Sequence, residues 1–347
     1  MQPFRTVEPK LRALRAGRTA RVAVVIPSYK VRPFILGVIA SIPAYVTRIY
    51  VVDDACPDGS GRYVEANNTD RRVVVVYHTE NRGVGGAVMS GYAAAIADQM
   101  DVIVKVDGDG QMDPALIGEF VRPILDGDAD YTKGNRFYDL EALGNMPKLR
   151  IFGNASLSLL AKISTGYWDL FDPTNGYTAI HADVAKRLPF ARISSRYFFE
   201  TDILFRLGTF RATVVDVPMD AKYGDEVSNL HISKIFGEFL TKHLQNACKR
   251  VFYNYFLRDM SIASIELVSG TIALLFGAVF GGYHWFHSVS TQSSTPVGTV
   301  IIAALSLLFG FQLLLAFVNY DVSHVPSRAI HRGSPTTWPS SERETPC

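Results

Sequence analysis

The chain has 347 residues, of which 48% are hydrophobic and 20% are charged, a composition that supports a substantial buried core and argues against disorder. Its formal net charge of +2 and pI near 8.3 exclude the strongly basic surface typical of nucleic-acid-binding proteins, so we expect no nucleic-acid partner. The three cysteines, Cys56, Cys248 and Cys347, are too widely spaced for a disulfide framework or a cysteine metal site, which favours a reducing compartment.

A basic segment opens the chain, and we delimit it as residues 1–20. Five Arg and Lys residues lie in it, but the apolar core of a secretory signal does not follow them. We therefore predict a solvated arm in front of the first folded domain.

Residues 21–230 have the pattern of an α/β domain. Runs rich in Val and Ile, beginning with RVAVVIP and RIYVVDD, alternate with segments long enough for crossover helices. This alternation predicts a mostly parallel, Rossmann-like sheet, in which ligands bind beyond the carboxyl ends of the strands. Four polar turns follow strands at that edge: residues 27–29, Asp53 with Asp54, residues 81–86 and residues 107–113.

The turn VDGDGQMDP is the most acidic of the four. Asp107, Asp109 and the amide oxygen of Gln111 occupy alternate positions, and Mg²⁺ and Mn²⁺ bind oxygen ligands of this kind while bridging phosphate groups. We predict a divalent cation held by these three residues. Asp113 stands directly before Pro114, where a helix N-cap belongs, so a capping role for Asp113 is an equal alternative.

Three other kinds of acidic or glycine-rich turn fit the sequence less well. A calcium-binding EF-hand loop needs a glycine and an acid where Met112 and Gly118 stand, and a dinucleotide fingerprint needs a glycine where Val88 stands. Phosphatases of the haloacid dehalogenase type also end a strand in Asp-x-Asp, but they resemble DxDxT, with threonine at the position of Gln111. The phosphatase hypothesis stays open as an alternative.

Residues 231–260 precede two long apolar segments. Apolar side chains at Ile232, Ile235, Phe236 and Phe239 follow helical spacing, with lysines between them. The pattern predicts an amphipathic helix, which either packs on the α/β domain or lies as an interfacial helix on anionic lipid. The two alternatives are compatible with each other.

Residues 261–320 contain two apolar stretches, residues 262–286 and 297–318, each long enough to cross a hydrocarbon core of about 30 Å. The turn between them has no Lys or Arg, whereas basic residues flank both outer ends, so the positive-inside rule predicts an integral membrane protein with its α/β domain and both termini in the cytoplasm. Glu266 is a charged exception inside the first stretch. Residues 321–347 form a polar tail that we expect to be poorly ordered from Asp321 onward.

Seven stretches, in this order, resemble family-2 glycosyltransferases of the GT-A fold: VVIPSYK, YVVDDACPDGS, NRGVGGAVMSGYAAA, VDGDGQMDP, KGNRF, DPTNGYTAI and RYFFETDILFRL. The resemblance extends roughly from Arg21 to Leu230, and within the family it points to the membrane-anchored polyprenyl-phosphate glycosyltransferases, the dolichol-phosphate mannose synthase group. It implies a GT-A catalytic domain, a Mg²⁺ or Mn²⁺ cofactor, and a nucleotide sugar and a polyprenyl phosphate as substrates. Association of the chain with itself is compatible with it.

The resemblance also implies roles for single residues. Donor binding is implied for Pro27, Tyr29, Asp53, Asp54, Asp107, Asp172 and Asn175. Contact with the acceptor phosphate is implied for Arg136, Arg150 and Asn154. An acidic pair of the family corresponds to Glu200 and Asp202, and together with Asp109, Arg136 and Arg150 it makes up the expected catalytic set.

These roles imply inverting transfer of a sugar from a GDP- or UDP-sugar to a polyprenyl phosphate at the cytoplasmic membrane face. A phosphate with a second pKa of roughly 6 is ionised near neutral pH, so such an acceptor needs no strong general base. A hydroxyl of a lipid-linked saccharide needs a base such as Asp202 or Glu200, and this alternative acceptor stays open. An inactive nucleotide-sugar-binding scaffold is disfavoured because the acidic turn is intact.

Overall fold

The computed structural model describes residues 18–137, 148–173, 175–219, 232–331 and 336–337. The chain divides into two compact units. The first unit contains residues up to 246 together with those from 326 onward, and the second contains residues 247–325. The first unit is therefore discontinuous in sequence, because the second is inserted before its last segment.

A seven-stranded sheet forms the centre of the first unit. Its strands are β2 (Val22–Ser28), β3 (Arg48–Asp53), β4 (Val73–Tyr77), β5 (Val102–Lys105), β6 (Tyr131–Asn135), β7 (Thr178–His181) and β8 (Val214–Pro218). Their order is β4-β3-β2-β5-β7-β6-β8, and β7 runs antiparallel to both of its neighbours while the other pairings are parallel. Short strands β1 (Arg18–Thr19) and β9 (Thr336–Thr337) pair separately. The predicted mostly parallel α/β sheet is confirmed.

Ten α-helices lie among the described residues. They are α1 (Ile35–Ser41), α2 (Ser60–Asn67), α3 (Gly83–Ala97), α4 (Ile117–Leu125), α5 (Lys148–Thr165), α6 (Ala182–Ala185), α7 (Phe199–Phe210), α8 (Ile232–Phe252), α9 (Ile262–Thr291) and α10 (Val297–Ser323). Short 3₁₀ turns cover Pro114–Leu116 and Phe190–Arg192, and a π-helical turn covers Tyr253–Arg258.

The core of the first unit follows directly from the apolar strands. Val24, Val51 and Val104 on three adjacent strands are completely buried, as expected for parallel strands with both faces covered. Helix α4 packs on them through residues at helical spacing, among them Phe120. The Phe120 ring stacks on Tyr177 with its centroid 4.0 Å away.

Helix α8 packs on the α/β unit through one face. His243 is buried and its Nδ1 atom lies 2.8 Å from Ser164 Oγ, while Phe198 meets both the His243 ring and Phe239 edge to face. Burial lowers the pKa of His243 to about 4, so the imidazole is neutral at physiological pH. Leu244 on the same helix is exposed. Domain packing is therefore observed, and contact with lipid by the exposed side stays a prediction.

The second unit is built on an antiparallel pair of long apolar helices. Helices α9 and α10 have mean hydropathies of 1.9 and 2.5 and are long enough to cross a membrane. They approach closely at small residues: a methyl group at Gly310 would lie 2.6 Å from the backbone nitrogen of Leu274. In the same unit, Arg250 makes a bidentate ion pair with Asp321 at 2.6 and 2.9 Å. The two helices are the predicted candidate membrane spans.

The segment after α10 is ordered where we expected disorder. Helix α10 continues to Ser323, and residues 326–331 pack within the first unit. Asp130 is fully buried, and its carboxylate accepts hydrogen bonds from the backbone nitrogens of Thr213, Ile330 and His331. The expected poor order from Asp321 onward is therefore wrong as far as His331, since this segment supplies donors to a buried charge.

The His331 side chain completes this contact. Its Nδ1 atom lies 2.6 Å from an Asp130 oxygen and its Nε2 atom lies 2.9 Å from the backbone oxygen of Ile124. The ring also stacks on His181, with the centroids 4.1 Å apart. The residues from 326 to 331 and their partners at Asp130, Ile124 and His181 are called the tail contact below.

Candidate active site

Polar turns from several strands meet at one edge of the sheet. Strands β4, β3, β2 and β5 are adjacent and parallel, so the turns that follow them lie side by side. Strand β7 is antiparallel, and Thr178 at its start pairs with both Lys105 at the end of β5 and Lys133 in the middle of β6. The segment before β7 therefore lies at the same edge as the turns after β5 and β6.

Asp53 and Asp54 hold the neighbouring turns together. Asp53 accepts hydrogen bonds from the backbone nitrogens of Cys56 and Gly61, at 2.7 and 2.6 Å. Asp54 accepts from the backbone nitrogens of Arg82 and Gly83, at 2.8 and 2.7 Å. Both side chains are at most 4% exposed. Their observed role is to brace the loops, and the expected contact with a nucleoside stays a prediction.

Pro27 and Tyr29, at the end of β2, differ in their exposure to solvent. Pro27 is buried within β2 and is paired with Val52, whereas the Tyr29 ring is 44% exposed just beyond the strand. An exposed aromatic face at this position can stack on a nucleobase. Of these two predicted donor contacts, the geometry favours Tyr29.

The acidic turn after β5 contains three aspartates whose carboxylates have different partners. Asp107 is partly exposed, and its Oδ1 atom lies 2.6 Å from Nζ of the buried Lys105. Asp109 accepts a hydrogen bond from the backbone nitrogen of Gln111 at 3.0 Å, so these two residues share one tight turn. Asp113 accepts from the backbone nitrogen of Ala115 and caps the helical turn at Pro114. The capping alternative for Asp113 is thus observed.

Arg136 and Asp172 form an ion pair at the neighbouring part of the edge. The Nε and Nη2 atoms of Arg136 lie 2.8 and 3.2 Å from the two carboxylate oxygens of Asp172. Asp172 is 1% exposed while the Arg136 side chain is 34% exposed, so the pair fixes a guanidinium that solvent can reach. The Asn175 side-chain nitrogen lies 3.4 Å from Asp172. Asp172, predicted to bind the donor, and Arg136, predicted to bind the acceptor phosphate, are therefore in direct contact.

Two further acceptor predictions fall on α5. Arg150 and Asn154 belong to this helix, one turn apart, but their side chains lie outside the described residues. Their expected contact with phosphate stays a prediction.

Glu200 and Asp202 lie in the first turn of α7 and differ in their surroundings. Asp202 accepts from the backbone nitrogen of Ser194 at 2.9 Å and lies 3.6 Å from Arg206 Nε. Burial raises the pKa of Glu200, while the positive charges of Lys105 and Lys133 oppose this shift. Asp202 thus has a visible structural role, and Glu200 belongs to a group of opposite charges beneath the edge.

Comparison with known proteins places this geometry in a family. Residues 23–188 match the model of glycosyl transferase family 2. Over 205 residues the chain is 31% identical to the undecaprenyl-phosphate mannosyltransferase of Micrococcus luteus, covering 57% of this chain and 82% of the relative. The chain belongs to glycosyl transferase family 2. The family membership implied by the seven sequence stretches, including the likeness to polyprenyl-phosphate enzymes, is confirmed.

Other comparisons agree with this assignment. The UDP-N-acetylglucosamine–dolichyl-phosphate N-acetylglucosaminyltransferase of Methanococcus voltae is 26% identical over 216 residues, covering 58% of this chain and 86% of the relative. Glucosyl-3-phosphoglycerate synthase from Mycobacterium tuberculosis, solved in complex with Mg²⁺ and UDP, is similar in structure with a TM-score of 0.50 and 20% identity. That likeness covers 72% of this chain and 84% of the other, and it supports the fold.

The residues of this family-2 chain fit a hard divalent cation. Among the described residues, no three His, Cys, Asp or Glu side chains are grouped so that they alone could hold a metal ion. The acidic turn offers two carboxylates and an amide oxygen, and all three residues are partly exposed at the edge. Mg²⁺ and Mn²⁺ accept such a partial set, because water molecules and substrate phosphates complete their coordination.

Sequence reasoning missed three charged or polar residues of the family-2 site. Lys105 is 2% exposed, Lys133 is fully buried, and burial lowers the pKa of Lys133. His78 joins Asp54 to Ser90, with its two ring nitrogens 2.7 and 2.8 Å from them. A lysine inside the apolar run VIVKVD was a usable signal, since a buried lysine needs a negative partner. His78 carried no comparable signal.

Proposed function

We propose that the chain transfers a sugar from a GDP- or UDP-sugar to a polyprenyl phosphate at the cytoplasmic membrane face, with inversion at the anomeric carbon. The observation that carries the proposal is the placement of the acidic turn and of Arg136 at one edge of the sheet, after strands β5 and β6. Two phosphate-bearing substrates need two sources of positive charge. At this edge, a metal ion held by the acidic turn would serve the donor diphosphate, and the Arg136 guanidinium would serve the acceptor phosphate. Relatives named for undecaprenyl phosphate and dolichyl phosphate support this choice of acceptor.

Donor binding is assigned to the acidic turn and to Tyr29. Asp107, Asp109 and Gln111 would hold a Mg²⁺ or Mn²⁺ ion, which would neutralise the charge that develops on the departing diphosphate. The exposed Tyr29 ring would stack on the base, and the loops braced by Asp53 and Asp54 would carry it. Asp172 and Asn175 would face the sugar from the segment before β7.

Acceptor binding is assigned to Arg136, with Arg150 and Asn154 from helix α5. An isoprenoid monophosphate carries about −1.5 to −2 charge at pH 7, and a guanidinium matches it in charge and in geometry. Because Asp172 already binds two nitrogens of Arg136, the phosphate would approach the remaining, solvent-facing part of this guanidinium. The buried carboxylate thereby orients the group that receives the acceptor.

The reaction then requires a single displacement. A phosphate oxygen of the acceptor attacks the anomeric carbon, the bond from that carbon to the diphosphate oxygen breaks, and the configuration inverts. The attacking oxygen is already ionised near neutral pH, so no residue has to remove a proton. This agrees with Asp202, whose carboxylate is occupied by Ser194 and Arg206.

Membrane attachment is assigned to α9 and α10. Their length and hydropathy suit a two-span anchor, and Lys and Arg residues flank the outer ends but not the intervening turn. This distribution favours a cytoplasmic location for the α/β unit, where nucleotide sugars are available.

A direct transfer assay tests the proposal. Purified protein is incubated with a panel of radiolabelled GDP- and UDP-sugars and with polyprenyl phosphate, and the lipid is then extracted and counted. We expect label in the lipid for one donor, loss of the label in excess chelator, and loss in D109A but not in the matched control D128A, whose exposed carboxylate lies outside the acidic turn.

Three other results would contradict the proposal. Transfer only to a lipid-linked saccharide would assign the acceptor to a sugar hydroxyl and require a base. Release of inorganic phosphate without any sugar donor would indicate the phosphatase alternative. Binding of nucleotide sugar without turnover for any donor in the panel would indicate a scaffold.

A further inference from the structure

Asp216 is a partly buried carboxylate that the proposed reaction does not use. It lies on β8, where the pairing with β6 places it opposite Lys133. Its Oδ2 atom accepts two hydrogen bonds, from the backbone nitrogen of Phe171 at 2.9 Å and from the side-chain nitrogen of Asn135 at 3.2 Å. Its Oδ1 atom is buried and has no hydrogen-bond partner within the part of the chain that the structure describes.

The two donors to Asp216 directly precede the two members of the Arg136–Asp172 ion pair. Phe171 stands before Asp172, and Asn135 stands before Arg136. Asn135 also accepts a hydrogen bond from the backbone nitrogen of Phe137 at 2.9 Å, so its side chain bridges the residues on either side of Arg136. One oxygen atom of Asp216 therefore ties together the two chain segments that carry the ion pair.

The ionised carboxylate of Asp216 does not increase the free energy of unfolding at neutral pH, so its presence needs another explanation. Burial, aided by the negative charge of Asp172, raises the pKa of Asp216 to about 6, although the Phe171 hydrogen bond and the charges of Lys133 and Lys162 oppose this shift. A carboxyl group whose pKa is raised in the folded state stabilises the fold only while it is protonated. At neutral pH the ionised Asp216 thus lowers the free energy of unfolding, a pattern typical of residues retained for function.

We propose that Asp216 is a positioning residue for the acceptor phosphate, because it holds Arg136 and Asp172 in the relative orientation that presents the guanidinium to that phosphate. The inference rests on the proposed function, since it takes Arg136 as the phosphate contact. Asp216 itself touches neither substrate. It acts by accepting hydrogen bonds from Phe171 and Asn135. Any other oxygen acceptor at the same position could accept them as well.

Steady-state kinetics with two substitutions at Asp216 test this role. D216A removes the shared acceptor oxygen, and we expect the KM for polyprenyl phosphate to rise about tenfold, because a misplacement of about 1 Å can cost about 100-fold and the Arg136–Asp172 ion pair should limit the shift to less than that. The kcat and the donor affinity from calorimetry should change less than about twofold. D216N keeps an oxygen acceptor, and we expect it to restore the KM to within about twofold of wild type.

The variants R136Q and N135A separate the possible failures. If R136Q raises the KM for the lipid but D216A does not, Asp216 has no positioning role and the proposed function stands. If R136Q leaves the lipid kinetics unchanged, the acceptor site itself is wrong and the inference falls with it. If D216A does not fold, N135A decides, because it removes one of the two donors: a raised lipid KM with unchanged donor affinity supports the role, and an unchanged KM overturns it.

Discussion

Replacement of His331 by alanine tests the tail contact. The variant loses the hydrogen bond to the Asp130 carboxylate and the hydrogen bond to the Ile124 carbonyl. A hydrogen bond to a charged group contributes about 1.5–3 kcal/mol and one between neutral groups about 0.5–1.5 kcal/mol. The His331 side chain is 3% exposed, so its ring packing is lost as well. We expect H331A to lower the free energy of unfolding by about 3 kcal/mol.

Thermal unfolding of the detergent-solubilised full chain measures this effect. At 2–4 °C per kcal/mol for a domain of this size, a loss of about 3 kcal/mol lowers the Tm by roughly 6–12 °C. H324A is the matched control, because His324 is an exposed histidine whose ring contacts, with Tyr320, are local to the end of α10. A Tm for H331A equal to that of H324A would refute the assigned contribution.

The pH dependence of the Tm difference between wild type and H331A gives a second check. Burial alone would raise the pKa of Asp130, but hydrogen bonds from His331, Ile330 and Thr213 more than offset it and hold the pKa below its ordinary value. A carboxylate with a lowered pKa stabilises the fold at neutral pH and loses this contribution as the pH falls through the folded-state pKa. The Tm of H331A should therefore lie furthest below that of the wild type at pH 7, and the two Tm values should approach each other as the pH falls. A Tm difference that grows as the pH falls would contradict the stabilisation of the ionised Asp130 carboxylate by His331.

Four further predictions follow from the site and the anchor. D109A should lose transferase activity and keep its Tm, because Asp109 lies in a loop outside the apolar core; unchanged turnover would remove the cation assignment. R136Q and R150Q should raise the lipid KM with little change in donor binding, whereas D202N and the exposed control R187Q should leave it unchanged; dependence on Asp202 instead would favour a hydroxyl acceptor. After removal of the native cysteines, S290C should react with an impermeant thiol reagent in intact cells and S340C should not; the reverse would overturn the orientation. D216N should unfold at a higher Tm than wild type at pH 7.5 and at the same Tm near pH 4, since only the wild-type side chain ionises on passing pH 6.

Local patterns sufficed for the sheet and for its polar edge. The apolar runs of β2, β3 and β5 alternate with helices, and the carboxyl ends of adjacent parallel strands must share an edge. Asp113 before Pro114 was recognisable as a cap because capping depends on neighbours in sequence. These features are encoded over a few residues, and this is why the sequence alone predicts them.

Contacts between distant residues were beyond local patterns. Asp130 meets His331 across 201 positions, and Asp216 meets Phe171 across 45. Each is a single polar residue in an ordinary strand or tail, so neither its burial nor its partner is visible in its neighbourhood. The ion pair between Asp172 and Arg136 was not predicted for the same reason, although each residue had been assigned to the site separately.

The tail contact sets an order of events during biosynthesis. The ribosome translates β6 and Asp130 first, then both apolar helices, and only afterwards the residues around His331 that donate to the Asp130 carboxylate. Until then Asp130 has one backbone donor, from Thr213, of the four groups that finally surround it. The α/β unit therefore gains three of the four groups that surround Asp130 only after both apolar helices have been synthesised, so the last step in completing this buried contact is also one of the last steps of translation.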